Sequence, residues 1–258
     1  MRLAEALLQS RKFKESRNFY EKLVAEEPDL ALYHYGLGVA CADFNRDGRM
    51  DLYVANDQNP NILWINKENL RFEDQALLAG AAYNGEGKAL SGMGIAVGDI
   101  DNHGSDDILV TNLMGKTNSL FRNEGKGFFH DATAEFGLAA PSLPYTGFGV
   151  SWIDYDNDGF LDLYAVNGAV ETVNALRGDP YPMKNRLFHN NGGKGFSDVS
   201  DVSGPALQLE AVGRGLAIGD LTNDGRTSMI ATNNNGQPWL LLNQDAAAGH
   251  WLLVELQA

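Results

Sequence analysis

One cysteine, Cys41, stands in the whole sequence, so no internal disulfide framework can hold this chain together. Lys and Arg number 20 against 34 Asp and Glu, a formal net charge of −14. That shortage of base excludes a general binder of nucleic acid or of anionic membrane, since attraction to phosphate needs clustered Lys and Arg. No apolar run approaches the length of a membrane span, so membrane insertion is not expected. Met1-Arg-Leu-Ala-Glu has no secretory hydrophobic region, and no export signal is expected there. A Gly-Xaa-Ser-Xaa-Gly elbow, a His-Glu-Xaa-Xaa-His pair, a phosphate loop and paired cysteines are all missing. The histidines, His34, His103, His130, His189 and His250, follow no ligand spacing, and His130 and His189 read as structural.

What the chain has instead is an acidic loop, met in its fullest form at Asp154-Tyr-Asp156-Asn-Asp158-Gly159-Phe160-Leu-Asp162. Carboxylates fall at positions 1, 3, 5 and 9 and glycine at position 6. Alternating acidic side chains on a curled backbone bring oxygens to one point, which suits a hard cation such as Ca²⁺. Glycine turns sharply at position 6 without a Cβ clash. Short runs rich in β-branched and aromatic residues flank the loop, Gly147-Phe-Gly-Val-Ser-Trp-Ile before it and Leu163-Tyr-Ala-Val-Asn after it. That strand–loop–strand setting argues against an EF-hand, which needs helices and a Glu at position 12.

The loop recurs. Asp43-Phe-Asn45-Arg-Asp47-Gly48-Arg49-Met-Asp51 is the first copy and Asp99-Ile-Asp101-Asn-His103-Gly104-Ser-Asp-Asp107 the second. The Asp154 loop is third, and Asp220-Leu-Thr222-Asn-Asp224-Gly225-Arg-Thr-Ser228 is a degraded fourth. Thirteen of the 34 acidic residues lie in these loops, where a cation could neutralise them. A second marker keeps the register: Leu-Trp-Ile-Asn66, Leu-Phe-Arg-Asn123, Leu-Phe-His-Asn190 and Leu-Leu-Leu-Asn243. The third unit carries extra residues between loop and marker, within 168–185. Each unit reads as four short strands; in the first these are 37–42, 52–55, 62–65 and 71–75. Strands separated by Gly/Asn turns at a period of about 55 describe propeller blades. The fold expected is mainly β, with about four blade units at residues 31–248. Trp64, Trp152, Trp239 and Trp251 lie in apolar strands and read as core, and Cys41 as a buried small hydrophobe.

Residues 1–30 follow helical spacing instead, in two segments ended by Pro28. This short helical hairpin resembles a tetratricopeptide repeat missing its first residues; an ordinary helical pair packed on the β domain is the alternative.

Taken together, Gly-Xaa-Gly-Val, the Asp-Xaa-Asp-Xaa-Asp-Gly-Xaa-Xaa-Asp loop, Leu-Tyr-Val-Xaa-Asn and Leu-Phe-Xaa-Asn resemble FG-GAP/VCBS repeats. Within that family the chain is most similar to the bacterial cartilage-acidic-protein-like group that ends in an ASPIC/UnbV module. Pro141-Ser-Leu-Pro-Tyr-Thr-Gly-Phe-Gly and Gly178-Asp-Pro-Tyr-Pro carry the local match, and residues 249–258 resemble the opening of the terminal module. The resemblance implies a propeller, commonly of seven blades, with Ca²⁺ in the acidic loops. Four units fall short of that number, which makes either an open arc from a larger propeller or a small closed one. We favour the arc.

The resemblance assigns metal ligands loop by loop. They are Asp43, Asn45, Asp47 and Asp51 with the Arg49 carbonyl, then Asp154, Asp156, Asp158 and Asp162 with the Phe160 carbonyl. In the second loop they are Asp99, Asp101 and Asp107, with His103 or a water in the fifth position, since imidazole suits transition metals better. The fourth loop offers charge only from Asp220 and Asp224. The function expected is a non-catalytic calcium-binding module for a protein or glycan partner, secreted, periplasmic or on a cell surface. The alternative is an enzyme or biosynthetic accessory with its active groups at the propeller centre or in the terminal module. The 168–185 segment is the expected partner-specific loop.

Overall fold

Each acidic loop turns the chain back on itself, so every repeat becomes an antiparallel meander with side chains alternating between its two faces. The computed structural model describes residues 36–69, 71–170 and 181–245. In the first unit β1 (Gly36–Ala42), β2 (Asp51–Asn56), β3 (Ile62–Glu68) and β4 (Arg71–Asp74) pair in that order. The second unit repeats this with β5 (Ile95–Gly98), β6 (Asp107–Val110), β7 (Ser119–Asn123) and β8 (Phe129–Asp131). In the third unit come β9 (Gly147–Ile153), β10 (Asp162–Asn167), β11 (Met183–Lys184), β12 (Arg186–Asn190) and β13 (Phe196–Asp198). Its blade is β9, β10, β12 and β13. After β14 (Glu210–Ala211), the fourth unit has three described strands, β15 (Gly213–Gly219), β16 (Ser228–Asn233) and β17 (Trp239–Leu241). These sheets are propeller blades, as the strand spacing requires.

The extra length of the third unit leaves its blade intact, for Leu163 still pairs with Phe188 and Ala165 with Arg186. The end of that segment adds a strand, however. Sequence composition favours a plain surface excursion there, but β11 pairs with β14, with Met183 opposite Ala211. Met183 is buried, and its sulfur accepts from the Thr146 N–H at 3.3 Å. Apolar anchoring at that one residue outweighs the Gly, Pro and charge around it. The tetratricopeptide-like segment at 1–30, residues 171–180 and the terminal 249–258 lie outside the described residues.

The first strands of successive blades lie side by side: β1 against β5, β5 against β9, β9 against β15. The Gly-Xaa-Gly motif makes that approach possible. A β-carbon on Gly94 would lie 1.8 Å from the Phe148 carbonyl oxygen, and one on Gly38 would lie 2.5 Å from that of Met93. The next blade's backbone occupies the space a side chain would need. Behind these strands, cores form between blades. Tyr53, Ala55, Leu63 and Ile65 of the first meet Ile108, Val110 and Phe121 of the second. Leu109 and Leu120 of the second meet Trp152, Leu163 and Phe188 of the third. Tyr164, Val166 and Leu187 of the third meet Leu216, Met229 and Leu241 of the fourth. The corresponding outer face of the fourth blade is open, with Ile230, Leu240 and Leu242 exposed. No comparable contact joins β15 back to β1 among the described residues, so these strands do not close the four blades into a ring. Trp152 is core, stacked on Phe196, whereas Cys41 is half-buried where full burial is expected.

Candidate metal centre

All four loops share one backbone conformation. Position 4 is left-handed at Arg46, Asn102, Asn157 and Asn223, with φ of 60, 59, 56 and 56°, and so is the glycine two residues on. The first aspartate holds this curl by accepting the N–H groups of positions 5 and 6. Asp47 and Gly48 donate to Asp43 at 2.9 and 2.7 Å, and Asp158 and Gly159 to Asp154 at 3.0 and 3.2 Å. His103 and Gly104 do the same to Asp99, and Asp224 and Gly225 to Asp220. The degraded fourth loop thus keeps the shape without the full set of carboxylates. Asn102 Nδ2 donates to the Gly159 carbonyl and Asn157 Nδ2 to that of Gly225, at 3.1 and 3.2 Å. These bonds tie the second, third and fourth loops into one row on one side of the arc.

The ninth position serves the fold first. Asp51, Asp107 and Asp162 have no exposed surface, and each accepts two backbone N–H groups. The donors are Phe44 and Asn66, Ile100 and Asn123, and Tyr155 and Asn190, at 2.8–3.2 Å. Burial pushes the Asp51 and Asp107 carboxyls up to about 6 despite these donors, and raises Asp162 in the same direction. In the fourth loop Ser228 takes the position, its hydroxyl accepting the Asn243 N–H. The marker asparagines are struts between blades. Asn123 Nδ2 donates to the Phe44 carbonyl of the preceding loop and the Asp106 carbonyl of its own. Asn190 Nδ2 bridges Ile100 and Leu161 in the same way, and Asn243 Nδ2 reaches Tyr155. At the other end of the blades, Asn56, Asn112, Asn167 and Asn233 each donate to a carbonyl of the β2–β3-type turn, at Pro60, Thr117, Lys184 and Gln237.

The loops differ in what faces their centres. In the third, ligand atoms of Asp154, Asp156 and Asp162 lie within 4.8 Å of one another, as do those of Asp156, Asp158 and His189. Asp156 Oδ1 is buried with no hydrogen-bond partner. Burial, then the charges of Asp158 and Asp154, raise the Asp156 pKa. Mutually repelling carboxylates with an unpartnered buried oxygen fit a hard cation. His189 Nδ1 stands 3.4 Å from Asp156 and 3.2 Å from Asp162, so this histidine belongs to the loop, a placement its sequence spacing does not reveal. Phe160 turns its ring toward Gly193 on the hairpin of the same blade, leaving only its backbone to the loop.

In the second loop Asp99, Asp101, His103 and Asp107 come together, but protein cations sit among them. Arg122 Nε donates to Asp101 Oδ2 at 3.0 Å and Nη2 to the same oxygen at 2.5 Å. His103 Nδ1 faces Asp99 at 3.1 Å and also contacts Asp101, and Nε2 faces the Asn123 carbonyl at 2.7 Å. Both ring nitrogens meet acceptors, an arrangement that imidazolium alone satisfies fully. Burial lowers the His103 pKa, but the Asn123 carbonyl and Asp101 more than offset it. Burial likewise raises Asp101, and Arg122 outweighs it, leaving that carboxyl below its usual range.

In the first loop Asp43, Asp47 and Asp51 do not converge in this way among the described residues. Asp47 Oδ2 accepts from Arg49 Nη2 at 2.5 Å and Asn45 Nδ2 at 3.0 Å, and Arg49 Nε donates to the Asn66 carbonyl at 2.8 Å. In the fourth, Asp224 is held by Arg226 Nε at 3.0 Å, and that contact keeps its carboxyl down at about 2. The third loop is therefore the best fit to calcium, the second and fourth fit poorly, and the first is occupied by its own arginine.

Residues 43–110 and 99–165 match the model for an FG-GAP-like repeat. Human cartilage acidic protein 1 is 26% identical over 237 residues, covering 86% of this chain and 33% of that protein. The Xenopus tropicalis protein of the same name is 27% identical over 239 residues, covering 90% and 34%. The chain thus spans about a third of the curated relatives it matches. Among solved structures, a lectin from Agrocybe aegerita that recognises non-reducing terminal N-acetylglucosamine matches 81% of this chain and 50% of its own, with a TM-score of 0.50 and 19% identity. That likeness speaks for the fold alone. Across its first three loops the chain is similar to FG-GAP-like repeats, and over most of its length it is similar to cartilage acidic protein 1.

Proposed function

We propose that this chain is a non-catalytic, calcium-binding propeller module that presents its loops to a protein or glycan partner outside the cytoplasm. The observation that carries this reading is the third loop, where Asp154, Asp156 and Asp162 converge around the unpartnered Asp156 Oδ1. Ca²⁺ there would neutralise three clustered carboxylates and, through Asn102 and Asn157, brace the neighbouring loops. Loops of modest ligand charge fill at the millimolar calcium found outside cells, which supports an extracellular setting. Similarity to FG-GAP-like repeats supports an interaction role, and the lectin neighbour makes glycans a reasonable first set of probes.

The test is retention of the full chain on a glycan array that includes terminal N-acetylglucosamine, and on immobilised extracellular-matrix proteins. Both are run with 1 mM Ca²⁺ and with chelator. Retention that requires calcium and drops at least about tenfold in Asp156→Ala is the expected result. Retention indifferent to chelator, or none on either surface, contradicts the reading.

A further inference from the structure

In three of the four loops an arginine is seated on a loop carboxylate. In the first and fourth it stands at position 7 and takes the position-5 aspartate: Arg49 on Asp47, Arg226 on Asp224. In the second it comes from the third strand, one residue before the marker asparagine, and takes the position-3 aspartate: Arg122 on Asp101. The two arrangements exclude each other. Loops with Arg at position 7 have a neutral residue at position 3, Asn45 or Thr222, and an aliphatic residue before the marker, Ile65 or Leu242. Loops with Asp at position 3 have Ser105 or Phe160 at position 7 and a basic residue before the marker, Arg122 or His189. An arginine thus sits on a carboxylate of the first, second and fourth loops, joined in the second by His103, whereas the third has His189 and no arginine. A guanidinium is always charged and grips a carboxylate through several N–H groups, so a divalent ion must displace it to reach the same oxygens.

We propose that Arg49, Arg122 and Arg226 are resident counter-ions in the first, second and fourth loops, leaving the third loop as the single divalent-cation site of these four. The arginines act as specificity determinants, and exchanging them redistributes calcium among loops of one backbone shape. The single-site count rests on the calcium reading above; the pairing of arginine with loop does not.

Calorimetric titration of the full 258-residue chain with CaCl₂, after chelator treatment, reads the number of sites. One ion per chain is expected. Arg49→Ser should raise it to two, because Asp43, Asn45, Asp47 and Asp51 are then free to converge. Arg226→Ser should leave it at one, because Asp220 and Asp224 are too few. Two ions in the parent, with one lost on Asp47→Asn or Asp101→Asn, would overturn the proposal, and so would a folded Arg49→Ser that gains nothing. A second arm needs no calcium. In chelator, Arg122→Ile should lower the melting temperature by several degrees, and adding Asp101→Asn should recover most of the loss. If the parent binds no calcium but this coupling appears, the calcium reading fails and the counter-ion assignment stands. If the coupling is absent, the counter-ion assignment falls.

Discussion

Replacing Asn190 by alanine removes a strut on which two blades depend. Its Nδ2 donates to the carbonyls of Ile100 and Leu161 at 2.8 and 2.9 Å, and its Oδ1 accepts the Gly193 N–H at 2.7 Å. The side chain is 1% exposed, so water cannot easily replace it. Each buried polar group left without a partner costs about 1–3 kcal/mol, carbonyls less than N–H groups. Three such groups put the loss at about 3–5 kcal/mol, a large share of the roughly 5–15 kcal/mol by which a domain is stable. For a chain of this size that is a fall in melting temperature of about 6–20 °C. Asn243 is the comparison: it makes the same cross-blade bond, to Tyr155 at 2.6 Å, but is only partly buried on an open blade. Asn243→Ala should cost only about 1 kcal/mol. Thermal and urea unfolding followed by circular dichroism give both values. An Asn190→Ala loss no larger than that of Asn243→Ala would refute the strut.

Two further outcomes follow from the same geometry. Gly94→Ala should prevent folding or cost more than about 4 kcal/mol, because the new carbon lies 1.8 Å from the Phe148 carbonyl; Gly219→Ala, with nothing within 4 Å, should be nearly neutral in the same urea titration. Asp51 and Asp107 have folded pKa values of about 6 against an ordinary 3.8, so the folded state holds protons that the unfolded state has lost between those values. Stability in chelator should therefore fall as pH rises from about 4 through 6, by up to about 3 kcal/mol per residue, a trend that melts at stepped pH would show or exclude.

The blades were legible in the sequence because their signals are local and periodic. The loop, the glycine pair and the marker asparagine recur at nearly constant offsets, and the structure places a β-meander at each. The function of those markers was not legible. Asn190 bonds a carbonyl ninety residues earlier in the chain, and nothing in the local pattern points to Ile100. The occupants of the loops were half-visible. Sequence spacing leaves His189 outside any constellation, yet it directly precedes a marker asparagine that reaches into the loops, so the register contained the clue. Arg49 reads by resemblance as a carbonyl ligand, and the identity of its side chain, which seizes Asp47, is what sets the first loop apart from the third. Where a side chain folds back on its own loop, position in a motif does not determine its role.

The central claim is that the third loop holds calcium, and a thermal melt tests it most directly. The parent, Asp156→Ala and Thr222→Ala are melted in chelator and in millimolar Ca²⁺. A ligand that binds only the folded state at a hundredfold excess over its Kd adds about 2.7 kcal/mol, which for one site in a chain of this size is a rise of about 5–10 °C. The parent and Thr222→Ala should show that rise and Asp156→Ala should lose it. A parent melt unmoved by chelator, or a calcium response that Thr222→Ala abolishes as fully as Asp156→Ala, would contradict the account.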